Sequence, residues 1–257
     1  MKDFLTKTAN ALLSALFPDG ITCELCGKDV FNGELVCKEC EKRLNFSDDA
    51  VCDRCGRTDP SRPSACPSCE NMLGIDKARS VFNYVDGGER LVKSFKYSSA
   101  KYLSKPLAAF MKNVYYKNYF SPDVICYVPM TVKKQYARGY NQAELIAREL
   151  SSLVSVPCED LLEKIKDTPH QAGLGFEERQ KNLRGAYALK SGASVKGKKI
   201  LLVDDVLTTG ATAGEIAGIL KRRGAKSVYL LTLASVQHNY QAHSDDKDNH
   251  PEEIWDL

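Results

Sequence analysis

Two groups of residues in this 257-residue chain combine type and spacing in ways that specify chemistry. The first is the run Ile200-Leu-Leu-Val-Asp204-Asp205-Val-Leu-Thr208-Thr209-Gly210-Ala211-Thr212, in which an apolar stretch passes two carboxylates and enters a small-residue turn. Residues 208–212 are placed to open a helix, where unpaired backbone N–H groups and the helix dipole favour a phosphate. Gly210 lets the backbone come close, and the hydroxyls of Thr208, Thr209 and Thr212 add donors. Asp204 and Asp205 can accept hydrogen bonds from a diol or hold a hard cation. The order is neither GxxxxGK[ST] nor GxGxxG, so a Walker loop and a dinucleotide fingerprint are both set aside.

The second group is cysteine. Eight of the ten cysteines form Cys23-x-x-Cys26, Cys37-x-x-Cys40, Cys52-x-x-Cys55 and Cys66-x-x-Cys69, separated by 10, 11 and 10 residues. Each CxxC turn presents two sulfurs, and two turns complete the tetrahedron that zinc prefers, which makes two structural zinc ions the expectation. Asn32-Gly33 lies midway between the first two pairs and the stretch from Pro60 to Pro63 midway between the last two. Hairpin turns there favour sequential pairing over interleaved pairing. A disulfide framework fits less well. The apolar stretch at the N-terminus is short and broken by Asn10 and Ser14, no secretory signal is expected, and a cytoplasmic, reducing setting follows. Cys126 and Cys158 read as ordinary core residues.

The elements that must position these groups follow from apolar periodicity. Residues 80–85 alternate like a strand, 103–119 and 142–153 have helical spacing, and 124–128 form a short apolar run ending before Pro129. Residues 200–203 and 228–234 are apolar runs, with a helix between them at 213–223 ended by Gly224. Continuous apolar strands alternating with helices predict an α/β fold, a parallel sheet flanked by helices, whose ligand site lies beyond the carboxyl ends of the strands. The expected organisation is an amphipathic helix over 1–18, a double zinc-ribbon-like module over 19–75, the α/β domain over 76–236 and an acidic tail over 237–257 that is disordered alone. The module and the α/β domain are expected to have separate cores. No run of eighteen apolar residues exists, so no transmembrane helix is expected.

Charge is uneven along the chain. The formal net charge is +3, yet residues 241–257 hold six acids against one lysine, while residues 80–140 hold ten Lys or Arg against three acids, interleaved with thirteen Phe and Tyr. That basic, aromatic segment is where a polyanion would bind, with Lys93, Lys96 and Lys101 as expected contacts. Residues 20–79 hold nine basic against eleven acidic side chains, a poor footprint for nucleic acid.

The run through Asp204 to Thr212 is similar to the loop by which type I phosphoribosyltransferases bind 5-phosphoribosyl-1-pyrophosphate (PRPP). Four further motifs accompany it and the cysteine knuckles: Asp123-Val-Ile-Cys-Tyr-Val-Pro129-Met130, Arg138-Gly139-Tyr-Asn141-Gln142-Ala143, Thr168-Pro-His-Gln171 and Glu178-Arg179-Gln-Lys-Asn182. Together they make residues 15–236 resemble the ComF family (ComFC). The resemblance implies that Asp204 and Asp205 contact the ribose hydroxyls, that residues 208–212, Ala211 included, hold the 5-phosphate, and that Mg²⁺ accompanies PRPP. It makes residues 128–133 the pyrophosphate loop, with Pro129, Met130, Lys133 and the neighbouring Lys134. Lys96, Arg138, Gly139, Asn141 and Gln142 fall on the pyrophosphate or acceptor side, and Gln171, Arg179 and Asn182 on a mobile flap. Family members are associated with natural competence and incoming single-stranded DNA, often beside a helicase-like partner. Three readings stay open: a competence factor that handles single strands, a phosphoribosyltransferase acting on a nucleobase or related acceptor, and a non-catalytic PRPP-sensing scaffold.

Overall fold

The computed structural model describes residues 22–30, 34–47, 50–58, 66–97, 100–166 and 183–237. The expected N-terminal helix, both turns between cysteine pairs, the segment with Gln171, Arg179 and Asn182, and the acidic tail beyond Gln237 lie outside the described residues. A single helical turn, Lys38–Glu41, and a 3₁₀ segment, Pro67–Met72, accompany the cysteine pairs. The α/β part follows in the order β1 (Lys77–Asn83), α1 (Asp86–Tyr97), α2 (Ser104–Lys117), β2 (Val124–Tyr127), α3 (Val132–Arg138), α4 (Gln142–Val154), β3 (Leu162–Lys164), β4 (Tyr187–Leu189), β5 (Lys199–Leu207), α5 (Ala211–Arg222) and β6 (Ser227–Ser235). Among the described residues no helix is long and apolar enough to cross a membrane.

Strands β1, β6, β5 and β2 form one parallel sheet in that order, with Leu202 of β5 opposite Cys126 on one side and Leu230 on the other. A parallel sheet needs both faces covered, and β5 shows how one apolar run satisfies both. Leu201 and Val203 face a cluster with α1, α2 and α4, whereas Ile200 and Leu202 face a cluster with α5. β3 and β4 form a separate antiparallel pair.

The expectation of separate cores does not hold. Cys23, Leu25, Val30, Leu35, Val36, Cys40 and Leu44 are buried in the same cluster as Phe82, Leu91 and Phe95. Cys52, Cys55, Cys66, Cys69, Met72 and Ile75 are buried with Ile200, Leu202 and Leu230 on the opposite face. Each ribbon is too short to bury a core of its own, so it completes one face of the sheet instead. The chain between and beside the ribbons also covers the outer edge of β1: Ala78 N–H donates to Arg54 O (2.6 Å), Ser47 N–H to Val81 O (2.9 Å) and Asn83 N–H to Asn45 O (2.7 Å).

Candidate functional site

β1, β2, β5 and β6 end on the same side, where Asp204, Asp205, the 208–212 turn and Lys96 come together. Asp204 and Asp205 lie within β5, which continues through them to Leu207 rather than stopping at the apolar run. Thr208 and Thr209 then turn the chain, and Gly210, at φ 86°, caps the start of α5 in the left-handed region that glycine adopts without steric cost. Ala211 N–H donates to Thr209 Oγ1 at 3.4 Å. A cavity of about 30 Å³ under this turn is lined by Asp204, Thr208, Gly210, Thr212 and Thr232 among others.

The two carboxylates have different surroundings. Asp205 Oδ2 lies 3.3 Å from Lys96 Nζ, and Lys96, at 8% exposure, is brought to the site from the end of α1. Asp204 Oδ1 accepts from the Asp205 N–H at 2.9 Å. Burial first, and then the Asp205 charge, push the Asp204 carboxyl up to about 8, against the opposing pull of that N–H, Lys96 and Lys164.

Behind Lys96 stands a chain of polar contacts from the β2 side. Gln142 Nε2 donates to the Lys96 carbonyl at 3.2 Å, Arg138 Nη1 donates to Gln142 Oε1 at 3.2 Å, and the Arg138 guanidinium lies 5.2 Å from the centre of the Tyr97 ring. Asn141 donates to Val128 O (3.0 Å) and accepts from Ala143 N–H (3.1 Å), so it ties the turn after β2 to the start of α4. The side-chain amides of Asn141 and Gln142 are thus engaged inside the protein. Pro129 is buried and Met130 half-buried in that turn, whereas Lys133, Lys134 and Gly139 are exposed. Gly139 closes α3 at φ 83°.

Four residues near the site escaped sequence reasoning. Lys164 and Tyr187, on β3 and β4, stack at 5.3 Å, and both sense Asp204 electrostatically; the Tyr187 hydroxyl also bonds the Thr212 side chain. Arg57 and Asn71 reach the turn from the second cysteine group, donating to the carbonyls of Thr208 and Thr209. Spacing carries no signal for contacts that span well over a hundred residues.

The cysteines group sequentially, as Cys23, Cys26, Cys37 and Cys40 and as Cys52, Cys55, Cys66 and Cys69, with the sulfurs of each set within 4.8 Å of one another. A zinc–sulfur bond of about 2.3 Å sets a tetrahedral sulfur–sulfur edge of about 3.8 Å. Cys26 and Cys37 are 3.8 Å apart, Cys52 and Cys69 3.6 Å, and Cys66 and Cys69 3.7 Å, so both donor sets fit zinc. Burial raises the Cys23 thiol, but backbone N–H groups of Cys37, Leu25 and Cys26 outweigh it and bring the thiol down to about 6. Burial first, and then the neighbouring thiols, push Cys40 and Cys69 the other way, to about 12 and about 11.

Residues 12–71 match the double zinc ribbon domain, and residues 137–257 match the phosphoribosyl transferase domain. Fold and site therefore define a phosphoribosyltransferase-type α/β protein with two structural zinc ribbons in its N-terminal part. Competence protein F of Haemophilus influenzae is 30% identical over 62% of this chain and 72% of its own length. The chain belongs to the ComF family. The DNA utilization protein YhgH of Escherichia coli K12 is 34% identical over 44% of this chain, which spans about half of that protein, 49%. Among solved structures, the glutamine PRPP amidotransferase of B. subtilis is 19% identical with a TM-score of 0.39, covering 55% of this chain and 30% of that one.

Proposed function

We propose that this chain binds PRPP, accompanied by Mg²⁺, beyond the carboxyl ends of β5 and β2, and serves the uptake or use of external DNA as its relatives' names indicate. The observation that carries the reading is the pair Asp204 and Asp205 leading into a turn whose glycine caps α5. Carboxylates suit the ribose diol, and the turn's free N–H groups suit the 5-phosphate. Mg²⁺, held on the pyrophosphate beside the Asp204 and Asp205 carboxylates, would neutralise leaving-group charge.

If transfer occurs, the bond from C1 to pyrophosphate loosens as positive charge develops on the ribose ring. Residues of this chain then need to orient both ends and stabilise an anion, with no side-chain nucleophile required. Calorimetric titration with PRPP and Mg²⁺ tests binding. Asp204→Asn with Asp205→Asn removes two charge-assisted acceptors and should weaken it by about 100-fold or more. Unchanged affinity in a folded double variant would refute the site. Repeating the titration with a panel of nucleobases, and assaying pyrophosphate release, separates an enzyme from a sensor.

A second reading, contact with single-stranded DNA, is favoured by α3. This helix buries none of its residues and presents Val132 at 85% and Tyr136 at 91% exposure beside Lys133 and Lys134. Exposed aromatics stack on any base, and lysines displace counterions from phosphates. The expected contacts shift accordingly. Lys96 is buried against Asp205 and Lys93 pairs with Glu89 at 2.9 Å, so α3 replaces that part of the basic segment as the DNA-facing element.

A further inference from the structure

We propose that Arg57, on the second cysteine ribbon, is the positioning residue of the 208–212 turn, aiming the turn's backbone N–H groups outward. The ligand half of this inference rests on the PRPP reading, whereas the positioning half does not.

Arg57 belongs to the second knuckle, since Cys52 N–H donates to its carbonyl at 2.9 Å, and it is 1% exposed. Its guanidinium spans two segments from the far end of the chain. Nε donates to Val236 O at 3.1 Å and Nη2 donates to Thr208 O, while Nη1 is buried without a hydrogen-bond partner. Among the described residues no carboxylate forms an ion pair with it. A buried cation in this state is costly, and an apolar side chain of similar size would fill the space at lower cost. Four thiolates around zinc leave a net negative centre in the adjoining knuckle, which offsets part of that cost.

The contacts explain what the cation does. In a trans peptide the carbonyl and the following N–H point in opposite directions. Arg57 fixes the Thr208 carbonyl toward the ribbon, and Asn71 Nδ2 fixes that of Thr209 at 3.3 Å. The N–H groups of Thr209 and Gly210 must then face away from the ribbon, on the side where an anion can reach them. Packing holds the next residues. A Cβ on Gly210 would lie 2.5 Å from Met72 Cγ, and one on Gly214 2.0 Å from the Asn71 carbonyl oxygen, so ribbon and turn are in direct contact. Thr58 N–H bonds Gln237 Oε1 at 2.9 Å and pins the chain just after Val236. The turn is therefore braced at residues 208, 209 and 210 by the second ribbon.

Hydrogen exchange at single-residue resolution on zinc-loaded Arg57→Met and Arg57→Lys, with PRPP titrations, tests this. In Arg57→Met the amides of Gly214 and Val236, which bond the Gly210 and Leu207 carbonyls at 2.8 and 2.9 Å on either side of the turn, should exchange about tenfold faster or more, with β6 core amides and zinc content unchanged, and PRPP affinity should fall by a similar factor. Arg57→Lys, which keeps the charge but reaches one carbonyl, should lie between. Wild-type exchange at the turn in a folded Arg57→Met, or equal acceleration throughout the sheet, would overturn the inference. Should Arg57→Met not fold, wild-type exchange at the turn in Arg57→Lys overturns it equally. If the wild-type protein fails to bind PRPP, the ligand reading falls, and exchange at the turn still decides the role of Arg57.

Discussion

Asp204 shows how burial and one neighbouring charge can set a carboxyl against the stability of the fold. Its carboxyl is moved from an ordinary 3.8 to about 8 by burial and by the Asp205 charge beside it. A folded-state value above the unfolded one means that the group's contribution to stability is fully present below about pH 4 and is lost as pH rises toward 8. Asp204→Asn stays neutral throughout. Thermal melts of the ligand-free protein should therefore show the variant gaining on the parent between about pH 5 and pH 8, with a gap that widens as pH rises. A constant gap would mean that Asp204 is already ionised in the folded state. At this scale the placement of Asp204, Asp205 and the 208–212 turn was legible, because an apolar run followed by small polar residues and a glycine marks a strand entering a helix. Arg57 was not legible. Its importance comes from a contact with a residue 151 positions away, and an arginine after a CxxC pair looks like any solvated cation until the chain is folded.

Among the elements, those with a strong apolar period were readable and those without were not. β2, α4, β5, α5 and β6 follow runs and stripes visible in the sequence, and Gly224, at φ 88°, ends the last helix region as its position suggested. α1 opens with Asp86-Gly-Gly, a weak helix start that masks the apolar stripe of Leu91, Val92 and Phe95 behind it, and α3 has no buried face for periodicity to detect. The ribbons illustrate the same limit. Their cysteine spacing predicts two sites and their pairing, but not that each ribbon completes a different face of the sheet. That arrangement changes what a ligand loss should do. Elemental analysis should find two zinc ions per chain, and Cys52→Ser should lower the melting temperature more than Cys26→Ser, because Cys52 is fully buried under β5 and Cys26 is exposed. Substituting Cys23 should also disturb the α/β part, whose cluster it shares. Equal, small effects from Cys52 and Cys26 would contradict this account.

Over the whole molecule, the basic and aromatic segment resolves into an inner and an outer set. Phe82, Tyr84, Phe95, Tyr115, Phe120, Tyr127 and Tyr140 are core, whereas Tyr97, Tyr102, Tyr116, Tyr119 and Tyr136 remain exposed. Composition could count these rings but could not sort them, since a strand and a helix bury different positions of the same pattern. Of the exposed set, Tyr136 lies with Lys133 and Lys134 on the helix that follows β2, near the carboxyl ends of the sheet. Lys133→Glu with Lys134→Glu should reduce single-strand affinity in filter binding and lower the salt slope by roughly one to two, while reversing Lys38, Lys42 and Arg43 does less. The opposite ranking would assign DNA contact to the ribbons.

The covering of β1 has a practical consequence. A strand whose outward N–H and C=O groups are met by Arg54, Ser47 and Asn45 is shielded only while the cysteine-rich chain keeps its shape. Strip the metal, and what is uncovered is the outer edge of β1, whose backbone N–H and C=O groups can then recruit a second chain by backbone pairing. Chelators in a purification buffer thus threaten this protein first through aggregation, before any question of ligand binding arises.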